Sequence, residues 1–314
     1  MTETSTPKIY QTWTVDSRRW RSFSPRDGDV IIATYPKCGT TWMQRIVDLL
    51  IFQSPAPRPI NEVSPWIDAR FLDPIESVIE RVEKQGHRRF VKSHLPFDGL
   101  PYFEGVRYIH VARDGRDACM SYFNHCAGYT PLAYEAFDRA APDMGGPAPR
   151  CPASPSEFWS DWLRKGIGPG SQDGFPSLSF FDFENTWWQA RARENVLLVH
   201  YNDLKADLEE EMSRIGAFLS IDVEPGSWTS IVKAATFEEM KRDGDDLLPQ
   251  FGRIFDGGSQ RFLHKGSNGR WRDVIAPEEL LLYERKVASR FTPGLALWIE
   301  NGRIGAGDPR SAAD

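Results

Sequence analysis

The stretch TYPKCGTTW, Thr34 to Trp42, stands between VIIA and MQRIVDLL. Asp27-Gly28 punctuates the chain, and Val30, Ile31 and Ile32 then run together, which marks a buried strand. Downstream, Trp42, Ile46, Val47 and Leu50 fall on one stripe of a helix. Gly39 lets the backbone turn sharply between the two, and Thr40 or Thr41 can cap the helix. Free N–H groups at that helix start face any anion placed there, and Lys37 adds a mobile cation. The order of residues is unusual for such a turn. Lys37 precedes the glycine, and no GxxxxGK[ST] pattern surrounds it. A plain strand–turn–helix connection with a solvated lysine is the rival reading.

The alternation continues along the chain. RRFVKSH, VRYIHVAR and NVLLVHY read as strands, and ESVIERVEKQ, DACMSYFNH and DLKADLEEEMSRIGAFL as helices. The last carries Leu204, Leu208, Met212, Ile215 and Leu219 at helical spacing. Strands alternating with helices imply an α/β fold, a parallel sheet flanked by helices. Ligands of such sheets sit beyond the carboxyl ends of the strands. Gly128 to Pro155, Gly166 to Pro176 and Asp243 to Gly269 read as irregular segments of the kind that form lids and binding loops. The expected organisation is an N-terminal segment 1–26, a single domain 27–300, and a disordered tail 301–314.

A chain of 314 residues with 12% aromatics is long enough for a sizeable core. A formal net charge of −6 and the lack of any Lys/Arg-rich run argue against a nucleic-acid partner. A polyanion site must then be a local cluster of cations. Cys38, Cys119, Cys126 and Cys151 form no CxxC pair, which suggests free thiols in a reducing compartment. None of the six histidines makes a metal-ligand spacing with another His or Cys, so no metal is expected. MTETSTPKIYQTW lacks the apolar run of a signal peptide, and runs such as VIIATY are too short to cross a bilayer. A cytoplasmic protein without a transmembrane segment is expected.

Three further segments hold candidate chemistry. Arg113 ends YIHVAR, Asp114 and Asp117 form a plausible helix start, and Ser121 lies about two turns in. A guanidinium there can bind two phosphate oxygens at once, or pair with Asp117 for structure alone. Lys92 and His94 share a face if the strand of RRFVKSH extends that far, and an imidazole can take a proton from a hydroxyl. A lone histidine is as often structural. FLHKGSNGRW places Lys265 between His264 and Gly266 on a loop that could close over an anion, or serve as a polar turn.

Four blocks in order, TYPKCGTTW, KSHLP, RDGRDACMSY and HKGSNGRW, resemble the cytosolic-type sulfotransferases, especially bacterial members. The resemblance spans Asp27 to about Trp271. It implies a fold related to nucleotide kinases and a co-substrate, 3′-phosphoadenosine 5′-phosphosulfate (PAPS), with no metal. It further implies that Lys37, Cys38, Gly39, Thr40, Thr41 and Trp42 contact the 5′-phosphosulfate and adenine, and that Arg113 and Ser121 bind the 3′-phosphate. Tyr201, Thr236, Phe237 and Met240 match positions around the adenine, while His264, Lys265 and Gly266 match the end of the 3′-phosphate grip. His94 matches the catalytic base, with Lys92 and Lys37 as catalytic cations.

The chain departs from the family at Cys38, where serine is usual, at His264, where arginine is usual, and at Ala235, where threonine is frequent. The short dimer motif of animal members is absent, so nothing follows about oligomeric state. The implied acceptor is a hydroxyl on a phenol, an alcohol or a glycolipid. Phe158, Trp159, Trp162, Phe180, Phe181 and Trp187 could line its pocket or belong to the core. A nucleotide kinase and a non-catalytic nucleotide-binding protein are the alternatives. The missing Walker pattern counts against the first, and Lys92 with His94 against the second.

Overall fold

The computed structural model describes residues 6–168 and 171–314. Residues 1–5 of the N-terminal segment and 169–170 of the stretch Gly166 to Pro176 lie outside them. Four strands, β1 (Val30–Ala33), β2 (Phe90–Ser93), β3 (Arg107–Ala112) and β4 (Val196–His200), form one sheet in the order β2-β1-β3-β4. All three pairings are parallel, with Val30 between Phe90 and Arg107, and Tyr108 beside Val196. The α/β expectation therefore holds. Parallel sheets are covered on both faces, which explains why these strands read as near-continuous apolar runs.

The pleat sends alternate residues into two cores. Val30, Ile32, Ile109, Val111, Leu197 and Val199 pack with Met43, Ile46, Val47 and Leu50 of the helix Thr40–Phe52, and with Met212, Ile215 and Leu219 of the helix Leu208–Leu219. Ile31, Ala33, Tyr108, Ala112 and Leu198 face the opposite layer, which includes the helices Gly115–Cys126, Pro155–Arg164 and Phe180–Ala190. Phe158, Trp159, Trp162, Phe180, Phe181 and Trp187 belong to this second core, none more than 1% exposed. They line no acceptor pocket; of the two readings offered by the sequence, burial is the one realised.

Several boundaries differ from expectation for local reasons. The helix read from Asp203 to Leu219 is two helices, Tyr201–Ala206 and Leu208–Leu219. Asp207 leaves helical geometry between them, and its carboxylate accepts the Glu210 N–H as an N-cap. Gly128 to Pro155 contains the helix Pro131–Ala140, because a proline at the first helical position starts a helix rather than ending one. Asp243 to Gly269 holds three short helices, Gly244–Leu247, Phe251–Ile254 and Gly258–Phe262. No helix of the described residues is long and apolar enough to cross a membrane.

The tail 301–314 was expected to fray, and it is instead tied down. The helix Pro293–Ala306 runs through Gly302, and the Asp314 carboxylate accepts hydrogen bonds from Trp188 Nε1 (2.9 Å), Thr292 Oγ1 (2.7 Å) and Arg191 Nη2 (2.7 Å). Gly302 adopts φ 71° and ψ −172°, a bend that lets the Asp203 carboxylate accept the N–H groups of Arg303 (2.7 Å) and Ile304 (3.1 Å). A Cβ at Gly302 would lie 2.8 Å from both Asp203 oxygens and 2.9 Å from the His200 ring. Gly302→Ala is therefore expected to lower the unfolding free energy by roughly 1–3 kcal/mol or more. Urea unfolding of the two proteins checks this, and an unchanged midpoint would show that the bend is not required.

Candidate functional site

The turn after β1 places its functional groups by backbone strain rather than by regular structure. Lys37 sits at φ 71° and Gly39 at φ 112°, so two of the six residues between β1 and the next helix are left-handed. A Cβ on Gly39 would meet the Tyr201 ring at 3.2 Å, so that position has a packing need as well as a dihedral one. Thr34 and Thr40 join their hydroxyls at 2.5 Å across the turn. Gly39 occupies the N-cap position and offers no side-chain cap, leaving the first amides of the helix Thr40–Phe52 available to an anion. The Lys37 ammonium lies 4.0 Å from the centre of the Phe262 ring. Burial, then the neighbouring Arg113 and Lys92 charges, lower its pKa to about 7.

One strand over, β2 ends at Ser93, and Lys92 and His94 both face the same cleft. The Lys92 ammonium rests 4.1 Å from the Trp66 ring centre, and burial lowers its pKa to about 8 against the attraction of Asp68. His94 is held at three points. Its Nδ1 lies 2.8 Å from the Thr34 carbonyl, its backbone N–H donates to Asp68 Oδ2 (3.0 Å), and Trp66 packs edge-on against its ring. A carbonyl can only accept, so Nδ1 carries the proton and Nε2 keeps its lone pair. Burial, then the nearby Lys92 charge, hold His94 well below the ordinary histidine range. The ring is thus neutral at physiological pH and able to accept a proton.

Beyond β3, Arg113 is 4% exposed and its nitrogens take neutral partners, Lys37 O (3.0 Å) and Asn268 Oδ1 (2.7 Å). Its Nε is buried with no hydrogen-bond partner among the described residues. The guanidinium also lies over the Tyr201 ring at 4.0 Å. Tyr201, just after β4, meets Trp42 edge-on at 5.4 Å, and Trp42 is fixed by donating from Nε1 to Ala235 O (2.7 Å). Phe237 and Met240, on the helix Phe237–Arg242, complete that wall.

The loop from His264 to Arg270 closes the far side. Lys241 donates to the His264 carbonyl (2.9 Å) and Lys205 to the Gly266 carbonyl (2.7 Å), while Asp117 accepts the Gly269 N–H (2.7 Å). Gly266, at φ 62°, has no room for a Cβ, which would fall 2.9 Å from the Phe237 ring.

Apart from Cys38 and Thr236, every residue that the resemblance assigned to the nucleotide or to catalysis lines this one cleft, which opens partly to solvent. Cys38 is a correction. Its side chain is fully buried in the core that contains Tyr35 and Cys119, its N–H donates to Tyr35 O, and burial pushes its thiol well above the usual range. Thr236 is another. Its hydroxyl caps the helix Phe237–Arg242 and donates to Lys233 O (2.9 Å), so it does not line the cleft.

Sequence reasoning missed Arg270, which lines the cleft and whose pKa is lowered by burial and then by Arg113. It belongs to HKGSNGRW, so the block itself carried the signal. It also missed the aromatic wall of Trp66, Phe71, Tyr122, Tyr129, Phe255 and Phe262, all but Tyr122 scattered over segments read as irregular or left unassigned. Among the described residues, no group of three His, Cys, Asp or Glu side chains could hold a metal ion.

The Sulfotransferase domain family matches residues 27–286. A glycolipid sulfotransferase of Mycobacterium tuberculosis is 33% identical over 315 residues, covering 95% of each chain. Mouse sulfotransferase 1B1 is 27% identical over 279 residues, covering 86% of this chain and 84% of its own. The crystal structure of retinol dehydratase in complex with androsterone and the inactive cofactor PAP superposes with a TM-score of 0.69 at 20% identity. The superposition covers 92% of this chain and 88% of that one. A phosphate-type turn without a Walker pattern, a strand-end histidine kept neutral and a cluster of unpaired cations now have a common explanation: this chain belongs to the sulfotransferase domain family.

Proposed function

We propose that this sulfotransferase binds PAPS across the strand ends and transfers its sulfuryl group to a hydroxyl on a small or lipid acceptor, with His94 as general base. The single observation that carries the reading is the company kept by the cations. Lys37, Lys92, Arg113 and Arg270 line one cleft, and no ion pair among the described residues neutralises any of them. Buried charge without a partner is costly, so such a cluster fits a polyanionic ligand. The partnerless Nε of Arg113 fits a further phosphate oxygen.

When bound, PAPS supplies the sulfuryl group and a nucleotide bisphosphate leaving group. The chain's own residues divide the remaining work. Arg113, Ser121 and the loop of His264, Lys265 and Gly266 would hold the 3′-phosphate, with Arg270 beside them. Trp42, Tyr201, Phe237 and Met240 would pack the adenine, while the amides of Gly39, Thr40 and Thr41 would face the 5′-phosphate. His94 Nε2 would take the acceptor's proton, Lys37 would stabilise the leaving oxygen, and Lys92 would support charge on the sulfuryl oxygens. Positioning and electrostatics suffice for this chemistry, as in phosphoryl transfer. The mycobacterial relative named for glycolipids supports a lipid-borne hydroxyl as one acceptor class. Four free cysteines support a reducing, cytoplasmic setting.

Arg113→Ala is expected to weaken adenosine 3′,5′-bisphosphate by roughly 10-fold or more while leaving adenosine 5′-phosphosulfate much less affected, since one charged hydrogen-bond site is lost. Titration calorimetry with both ligands checks this; equal losses would remove Arg113 from the 3′-phosphate. His94→Ala should keep nucleotide affinity and lose roughly 100-fold or more in turnover. Wild-type turnover in that variant would place the base elsewhere.

A third expectation concerns protons. An anion beside Lys37 raises its pKa from about 7, so binding at pH 8 takes up protons, and nucleotide affinity falls as pH rises through that range. Calorimetry at pH 8 in buffers of different ionisation heat should show net uptake in the wild type. Lys37→Arg, charged at every working pH, should lose most of it. Uptake unchanged by that substitution would assign the proton to another group.

A further inference from the structure

Among the polar side chains lining the aromatic half of the cleft, His125 is one that neither the nucleotide nor the sulfuryl transfer uses. His125 ends the helix Gly115–Cys126 and lines the cleft. Its ring sits among four others, with centroids 4.7 Å from Phe255, 5.0 Å from Tyr129, 5.6 Å from Phe262 and 6.2 Å from Tyr122. Phe262 is the ring that carries the Lys37 ammonium, so the imidazole stands one side chain away from the reacting end. Its Nδ1 is buried without a hydrogen-bond partner, and Nε2, which has none among the described residues either, is not among the buried atoms and is the nitrogen a ligand in the cleft can reach. An unsatisfied nitrogen in an apolar wall is costly to keep, and phenylalanine would pack there without that cost. Burial, then the facing charges of Lys37 and Lys92, push the ring well below the usual histidine range, so it stays neutral with one donor and one acceptor.

We infer that His125 is a specificity-determining residue for the acceptor: its imidazole hydrogen-bonds a second, uncharged hydroxyl on the molecule whose first hydroxyl is sulfated. The inference rests on the proposed reaction and deepens it. The acceptor it selects is polyhydroxylated, either an aromatic diol or a sugar joined to an apolar chain. A simple phenol or alkanol would leave His125 as unsatisfied as it is without ligand. Sites built to hydrogen-bond a substrate hydroxyl discriminate strongly against analogues that lack it. The surrounding rings suit either source of that hydroxyl, since both aromatic and sugar faces pack on aromatic side chains.

Matched pairs test the inference: resorcinol against phenol, and octyl glucoside against octanol, assayed for sulfate gain with PAPS. The wild type should prefer the hydroxyl-rich member of at least one pair, and which pair shows it identifies the source. His125→Phe, which keeps the aromatic packing, should reduce that preference roughly 10-fold, mainly through KM, and leave use of the poorer member within about 3-fold. His125→Gln, which retains a donor and an acceptor, should recover part of the preference. Adenosine 3′,5′-bisphosphate affinity in both variants reports on folding and on the nucleotide site separately. Intact nucleotide binding with no preference in either pair, or with equal losses for both members in His125→Phe, would overturn the role of His125 alone. Loss of nucleotide binding in the wild type would instead overturn the reaction on which it rests.

Discussion

Everything in the cleft depends on holding several positive charges together away from water without their counter-ions. Lys37 and Lys92 are both driven toward neutrality by burial, to about 7 and about 8, with the Arg113 guanidinium beside Lys37. The fold offsets this strain mainly with dipoles and aromatic faces, while Asp68 acts on Lys92 and Asp117 on Arg113 and Arg270 without forming ion pairs. Arg113 donates to a backbone carbonyl and an asparagine, and Lys37 and Lys92 each rest on an aromatic face. Carboxylates would be cheaper for the empty protein, but they would compete with a phosphate and repel it. The ligand-free state is thus kept poor in compensation so that an anion supplies it.

The same arrangement couples His94, the proposed base, to the turn after β1. Thr34 begins that turn, its hydroxyl meets Thr40 at the helix start, and its carbonyl holds His94 Nδ1. A shift of the turn on anion binding would therefore be felt at the imidazole through two short bonds. Asp68 anchors the other side. It is fully buried, accepts from Trp20, Trp66 and the His94 backbone, and burial raises its pKa despite these donors. Parallel strands bring this about simply because all their carboxyl ends open on one edge.

What could be read in the sequence tracks how local the physics is. β1 to β4 were legible because strands buried on both faces leave unbroken apolar runs, and the turn after β1 because a glycine and a cation must sit there in order. Most residues proposed for the nucleotide were legible because they fall in short blocks, with Tyr201, Phe237 and Met240 outside them. The aromatic wall was not. Trp66, Phe71, Tyr129 and Phe255 come from separate irregular segments, and only tertiary packing distinguishes them from core tryptophans such as Trp159 and Trp162. The tail misled for a similar reason: GRIGAGDPRSAAD reads as flexible, yet its order comes from Asp203 and Trp188, about a hundred residues away.

The departures from the family pattern become intelligible once backbone and side-chain roles are separated. At position 38 the turn needs a backbone that closes toward Tyr35, and the side chain points into a dry core. A thiol suits that place better than a hydroxyl, which would need a buried partner. At position 264 the carbonyl is already engaged by Lys241, so the loop keeps its course whatever side chain is present. The imidazole there is itself pushed toward neutrality, by burial and then by Arg270. Arg270 is therefore the better-placed cation on that side of the cleft. A histidine at 264 thus adds no further charge beside Arg270 and Lys265, both of which push its imidazole toward the neutral form.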